Sequence, residues 1–474
     1  MTHDTLSRRG LLTAASATLA LAGCAKVAAP PTGRLTEIRA GNRPLTLTAA
    51  PHTLNIGHDS VPAWVYREQP LPVLRLKQGE EVQVTLANAL GEHTSIHWHG
   101  IRGPNAMDGV PYLTQAPVQP GAHFAYRFTP PDTGTFFFHP HCNTAEQLGR
   151  GLVGALVVED GVSFDDDVVL LIKDWRLAPD GGFLPFLTTA GASRAGSFGT
   201  VRTVNGIPSP KIAVPGKSQA RLRLINTDSA RICEIGVKGA QVIAIDGNAV
   251  TPFALDTWRL GPAMRLDLSL RVPASEPVEV IDYFSATPVT LATLLPSGSD
   301  DAPKPVAALE PTRFQEPDLA KGWQHTLELD ASAAPAGYPD IPPVVLPDGR
   351  RIDLADSLCL AQGTFWALDG KSWPERDHRR LPPPLFTFAR GESVVLTLSN
   401  ETSRTHPIHI HGHTMKVLSA DRLKRPVHRA DTVLVLPNER VQVAFVADNP
   451  GNWMIHCHVI EHQETGMMGW FRVS

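Results

Sequence analysis

No basic stretch runs through this chain. Its 43 Lys and Arg against 47 Asp and Glu leave a formal net charge of −4, which excludes nucleic acid and anionic membrane surfaces as partners, since both demand clustered positive charge. Long apolar runs are missing as well: beyond the amino end nothing approaches the ~20 residues that cross a bilayer. Helical periodicity is scarce. Period-two alternation takes its place, punctuated by 42 prolines and 38 glycines, and together these argue an all-β protein of antiparallel Greek-key sandwiches. At 474 residues and 42% hydrophobic content, the length suits about three domains of roughly 150 residues, each with a real core.

What the chain does have is histidine in clusters. Ten histidines and one cysteine fall into His97-Trp98-His99-Gly100, His139-Pro140-His141, His406-Pro407-Ile408-His409-Ile410-His411 and His456-Cys457-His458, with His462 and Met467 following. Imidazole suits copper, and a thiolate with a weak, distant thioether selects for it, so this donor set points to a redox metal rather than structural zinc. Successive side chains of a strand face opposite ways. Each His-x-His pair therefore presents both imidazoles to one side, while Cys457 turns away from His456 and His458. One tripeptide then touches two metal sites, a thiolate-bound copper behind the strand and a histidine-only cluster in front of it. A lone His-x-His is ordinarily a surface or structural feature; four clusters at repeated intervals are not. The other nine histidines, among them His52, His58, His93, His413 and His428, fit no ligand slot, and Met468 reads as core.

The clusters sit on an internal duplication. Leu76-Lys77-Gln78-Gly79 leads through Val82, Val84 and Leu86 to Asn88, and Phe388-Ala389-Arg390-Gly391 leads through Val394, Leu396 and Leu398 to Asn400. Nine residues separate Gly from Asn in both, and nine more reach His97 and His409. Phe128, Gly134 and His139 recur as Phe445, Gly451 and His456 at the same intervals of six and five. A middle copy, from Val214-Pro215-Gly216 through Ala220, Leu222 and Leu224 to Asn226, has no histidine in its later part. The expected organisation is a leader over 1–34, a domain over 35–159 with half of the cluster ligands, and a domain over 160–298 with none. A linker over 299–320 then leads to a domain over 321–474 with the thiolate site and the other half.

In chain order the motifs HWHG, HPH, HPIHIHGH and HCHVIEHQETGMM resemble those of the multicopper oxidases, the family of laccases, bilirubin and ascorbate oxidases and bacterial cuprous oxidases. The resemblance implies cupredoxin-like domains and four copper ions. By motif position it implies a type 1 copper on His406, Cys457 and His462 with Met467 as the long axial ligand, and a type 2 copper on His97 and His409. It places the type 3 pair on His99, His139 and His458 for one ion and on His141, His411 and His456 for the other. It also implies an activity: a small reducing substrate gives up single electrons through a solvent-facing edge of His462, Cys457 and its neighbours pass them on, and dioxygen is reduced to water. Cuprous oxidases of the family often carry a methionine-rich insert. With seven methionines, none clustered outside the copper motif, a laccase-like oxidase of phenols or aromatic amines leads and a metal-ion oxidase is the runner-up. A copper nitrite reductase would need fewer histidines and two domains; a non-catalytic exported scaffold would hold no copper.

Asp108 lies in Met107-Asp108-Gly109, where family members carry an acidic residue, and would relay protons and orient the type 2 ligands; read alone it is an Asp-Gly turn. Directly after His462, where some relatives have a glutamate thought to pass protons, stands Gln463, which cannot ionise. Water, Glu464 or Glu461 substitutes, or that route is absent. Ser7-Arg8-Arg9-Gly10-Leu11-Leu12 and the alanine-rich run to Gly23 look like a twin-arginine export signal, implying a periplasmic or cell-surface protein, expected to be a monomer. Leu21-Ala22-Gly23-Cys24 resembles a lipobox, so Cys24 is either a lipid anchor or a neighbour of ordinary cleavage. Cys142, Cys233 and Cys359 remain, either one pair plus a free thiol or three buried thiols.

Overall fold

The computed structural model describes residues 33–39, 44–57, 60–67, 69–298, 308–331, 344–345, 351–352, 365–373 and 381–474. The export signal, the lipobox with Cys24, and Cys359 lie outside the described residues.

Alternation builds the sheets as expected. Val82–Asn88 buries every second side chain, and its inward Val84 and Leu86 meet Trp98, Phe138 and Leu156 of a second sheet across one core. The first lobe packs a four-stranded sheet (Leu45–Leu54, Val61–Tyr66, Val82–Asn88, His123–Phe128) on a five-stranded one that ends in Gly134–His139 and His97–His99. The same plan recurs with six and five strands between Asp166 and Ser297, and with six and five between Trp323 and Val473. The protein is all-β, with cupredoxin-like sandwiches.

The sheets are mixed, where pure antiparallel pairing was expected. Leu45–Leu54 runs parallel to Val82–Asn88, Asp166–Trp175 to Gln219–Asn226, and Trp323–Ala331 to Glu392–Asn400. In each case the intervening chain visits the opposite sheet, through Val73–Lys77, Lys211–Pro215 and Phe386–Phe388, and so returns in its original direction. A Greek-key crossover of this kind leaves no mark on the alternation.

The repeated asparagine closes the same loop three times. Nδ2 of Asn88, Asn226 and Asn400 donates to the carbonyls of Glu92, Arg231 and Arg404, and Oδ1 accepts from the backbone N–H two residues on, at Leu90, Asp228 and Thr402. A buried amide satisfied on both ends is difficult to replace, which accounts for its recurrence at a fixed distance from each motif.

In the first and third lobes these loops lead into the strands that carry the histidines. In the first lobe His97 lies opposite His139, and in the third His409 lies opposite His456, each pair across an antiparallel ladder. The matched sequence intervals are thus one cross-strand pair built twice. Cys142 and Cys233 are separate, buried free thiols, which removes a bond between those two; burial pushes the Cys142 thiol up to about 12. Among the described residues no helix is long and apolar enough to cross a membrane.

Candidate metal centre

Eight imidazoles from two lobes converge. Ring centroids of His99, His139 and His458 lie 5.1–5.9 Å apart, those of His141, His411 and His456 5.0–5.3 Å apart, and His97 and His409 are 5.7 Å apart between the two triplets. The hydrogen bonds around them fix which nitrogen carries the proton. Nδ1 of His97, His139, His409 and His456 faces the carbonyls of Asp108, Pro140, Asp431 and Cys457 at 2.8–3.0 Å. Nδ1 of His411 faces the Asp108 carboxylate at 2.9 Å, and Nε2 of His99 faces the Asp431 carboxylate at 3.0 Å. Those oxygens only accept, so each of these nitrogens donates and the other nitrogen keeps a bare lone pair.

The bare nitrogens have nothing to bond. Nε2 of His97, His139, His141 and His409, Nδ1 of His99 and both ring nitrogens of His458 are buried without a protein partner. Nε2 of His411 and of His456 stand 3.2 Å apart although the proton of each is committed at Nδ1. Inward-facing lone pairs in a dry interior are costly unless cations sit between them, so the residues fit a bound metal cluster. Burial, and then the neighbouring imidazoles, hold His99, His141, His411 and His458 far below the usual histidine range, in the neutral state that metal ligation requires.

Behind the same strand lies the second site. Cys457 Sγ is 3.5 Å from His406 Nδ1 and 3.6 Å from His462 Nδ1, themselves 3.1 Å apart. Met467 is wholly buried in the apolar cluster that contains Cys457, and its backbone brackets the site: its N–H donates to the His462 carbonyl and its carbonyl accepts from the Cys457 N–H, both at 2.9 Å. Burial pushes the Cys457 thiol up and the His462 imidazole down to about 4, a combination that a bound cation reverses for the thiol. Met468, as expected, packs on the other side, against Val110, Trp373 and Met454.

His462 does not face solvent, contrary to the expectation. It is 0% exposed, and its Nε2 lies 2.6 Å from the carbonyl of Arg194. The covering segment contains the short helix Thr189–Ala192 and is held by Glu461, whose carboxylate accepts from the Thr188 N–H at 2.9 Å, from Ser197 Oγ at 2.8 Å and from the Ser197 N–H. Trp366 braces it, donating to the Ala192 carbonyl at 2.6 Å with its ring 4.4 Å from that of His462. Glu461 is thereby engaged away from the histidine cluster. Glu464 accepts from the Thr144 N–H at 3.0 Å and lines, with His141 and Gln463, a cavity of about 40 Å³, room for a water.

Asp108 joins the lobes. Its carbonyl holds His97 of the first and its carboxylate His411 of the third. The Asp-Gly pair does sit at a bend: Gly109 has φ +88°, and a Cβ there would lie 1.8 Å from the Ile96 carbonyl oxygen. We expect Gly109→Ala to displace Asp108 and His97 together, so that copper per chain after reconstitution falls well below wild type in metal analysis. Asp431 escaped the sequence reading although it contacts His99 and His409; its signal was an acidic residue leading an apolar strand, Thr432–Val435, that pairs with His406–Ile410.

Three family models described as multicopper oxidase match residues 50–163, 166–284 and 359–474. The chain is 30% identical to the multicopper oxidase MmcO of Mycobacterium tuberculosis over 97% of its own length and 95% of that protein, and 28% identical to Laccase-1 of Botryotinia fuckeliana over 84% and 76%. Its fold is similar to the crystal structure of a multicopper oxidase from Pseudomonas thermotolerans, with TM-score 0.81 and 36% identity over 93% of this chain and 100% of that one. With these likenesses set beside the thiolate site and the eight-histidine cluster, the chain belongs to the multicopper oxidase family, copper oxidoreductases that couple oxidation of a reducing substrate to reduction of dioxygen.

Proposed function

We propose that this chain is a laccase-like oxidase that takes electrons one at a time from a phenol or an aromatic amine and delivers them to dioxygen, forming water. The observation that carries the reading is the two-faced segment His456-Cys457-His458, whose thiol stands 3.5 and 3.6 Å from His406 and His462 while its flanking imidazoles belong to the cluster. In this reading His406, Cys457, His462 and Met467 would hold type 1 copper, and His97 and His409 would hold type 2. The type 3 pair rests on His99, His139 and His458 and on His141, His411 and His456. Copper bound in these places supplies one-electron exchange at the thiolate and dioxygen reduction at the cluster. The chain's own residues supply the route, the dry surroundings and the fixed tautomers. With the Arg194 carbonyl between His462 and solvent, the reductant docks on the cover, where Leu187 and Phe198, 39% and 42% exposed, offer apolar surface to an aromatic ring.

The test is oxygen uptake under air with a methoxyphenol, an aromatic amine and cuprous ion in turn. Consumption of about four phenols or amines per dioxygen without peroxide supports the reading; oxidation of cuprous ion alone sinks it. A metal-ion oxidase is the second reading, favoured by the cover itself, since a small ion needs no cleft to reach the Arg194 carbonyl. The same reading takes the protein to be an exported periplasmic or cell-surface monomer, on the strength of the Ser7–Leu12 motif, with domain boundaries near residues 159 and 298.

Asp108 is assigned proton delivery as well as orientation. Asp108→Asn keeps an acceptor for His411 and loses the ionisable group, so copper content is expected to match wild type while turnover falls by roughly 10²–10⁴-fold. Copper analysis beside oxygen uptake checks this, and wild-type turnover would refute it.

A further inference from the structure

The middle lobe supplies no histidine to the cluster, yet one of its side chains grips a residue that holds two of those histidines. Arg265, on the strand Arg265–Arg271, is 0% exposed. Its guanidinium donates through Nη1 to Asp431 Oδ1 at 2.7 Å and through Nη2 to Asp431 Oδ2, a bidentate clamp on a residue of the third lobe. Nε donates to the Thr135 carbonyl of the first lobe at 3.2 Å, and Nη1 also reaches its own lobe at the Ala263 carbonyl, 3.0 Å away. All three lobes therefore meet on one planar cation. The clamped carboxylate does not stop there: Asp431 Oδ1 lies 3.0 Å from His99 Nε2 and 3.5 Å from His409 Nδ1, and the Asp431 carbonyl holds His409 Nδ1 at 2.9 Å. The packing leaves no slack. Gly100 has φ +85°, and a Cβ there would lie 2.6 Å from Asp431 Oδ2 and 2.7 Å from Arg265 Nη2, so the glycine of HWHG is where the first lobe makes room for the pair.

We propose that Arg265 is a positioning residue for the histidine cluster: by clamping Asp431 it fixes the rotamer that holds the proton of His99 on Nε2 and leaves Nδ1 turned inward, and it steadies His409, the type 2 residue whose Nδ1 faces the same Asp431. A bidentate guanidinium sets both the plane and the position of a carboxylate, which a point charge on a flexible stem does not. A carboxylate set in this way selects one tautomer and one ring orientation of the imidazole it accepts from. The lobe without ligands thus acts on metal binding through one side chain. The inference rests on the copper reading of the cluster, and the test separates the two.

Arg265→Met and Arg265→Lys are to be compared with Arg221→Met, which removes another buried arginine of the same lobe, bonded to Asp267 and Asp160 and to no part of the histidine cluster. The readouts are copper per chain, the visible thiolate band, the type 2 electron paramagnetic resonance signal, and kcat and KM for the reductant. In both Arg265 variants the thiolate band should persist, the type 2 signal should shift or vanish, and kcat should fall by about 10- to 100-fold with KM unchanged. Arg221→Met should keep the wild-type type 2 signal. Wild-type signals and kcat in the folded Arg265 variants overturn the proposal. So does loss of the thiolate band together with the type 2 signal, or an equal change in Arg221→Met, because either marks a scaffold role only. A wild-type protein lacking both copper signals would sink the copper reading itself.

Discussion

Cys457→Ser is expected to abolish turnover with every reductant while sparing the eight-histidine cluster. The thiol is the strong soft donor beside His406 and His462, and a serine hydroxyl is a poor ligand for copper in its place. The backbone of Cys457 does separate work. Its carbonyl holds His456 Nδ1 at 3.0 Å and its N–H bonds the Met467 carbonyl at 2.9 Å, and neither depends on the side chain. The expected phenotype is therefore selective: the intense thiolate absorption disappears, copper falls by about one ion per chain, the type 2 resonance remains, and oxygen uptake drops to the background air oxidation of the reductant. Oxygen uptake that survived with a phenol would mean that electrons reach the cluster by another path.

Removing copper is the second large effect. Four of the cluster histidines come from residues 97–141 and four from residues 409–458, so an occupied site ties two distant chain segments. A ligand present at about 1,000 times its Kd stabilises the state that binds it by roughly 4 kcal/mol. At about 2–4 °C per kcal/mol for domains of 150–250 residues, a drop in Tm on the order of 10 °C follows on stripping the metal, and more if several ions leave together. The bare protein also carries the cost of its inward lone pairs, which have no protein partner. Differential scanning calorimetry before and after chelation checks it, with re-addition of copper as the control. Equal melting points would mean that the lobes dock without help from the metal.

Much of this centre was legible in the chain because strand alternation has a fixed period. His456 and His458 go forward and Cys457 goes back whatever the rest of the fold does, and the intervals Asn88 to His97 and Asn400 to His409 mark equivalent ladders. What alternation could not reach was contact between remote segments. The cover over His462 comes from residues near 190, tied by Glu461, and nothing in HCHVIEHQETGMM announces that Glu461 points to another lobe. Arg265 and Asp431 sit in ordinary strand patterns, RLDLSLR and the run after Ala430, and acquire their role only where three lobes meet. The parallel strand pairs were hidden for a related reason: direction depends on which sheet the intervening chain visits, and side-chain period is the same in either.

The central claim is that one short segment serves two metal sites, a sulfur-bound ion behind it and a histidine cluster before it. Metal analysis of the purified protein, with its visible absorption and electron paramagnetic resonance spectra, tests this most directly. The account predicts about four coppers per chain, an intense thiolate-to-copper band and a separate type 2 resonance. Zinc in place of copper, or copper with no thiolate band in protein whose Cys457 is intact, would contradict it.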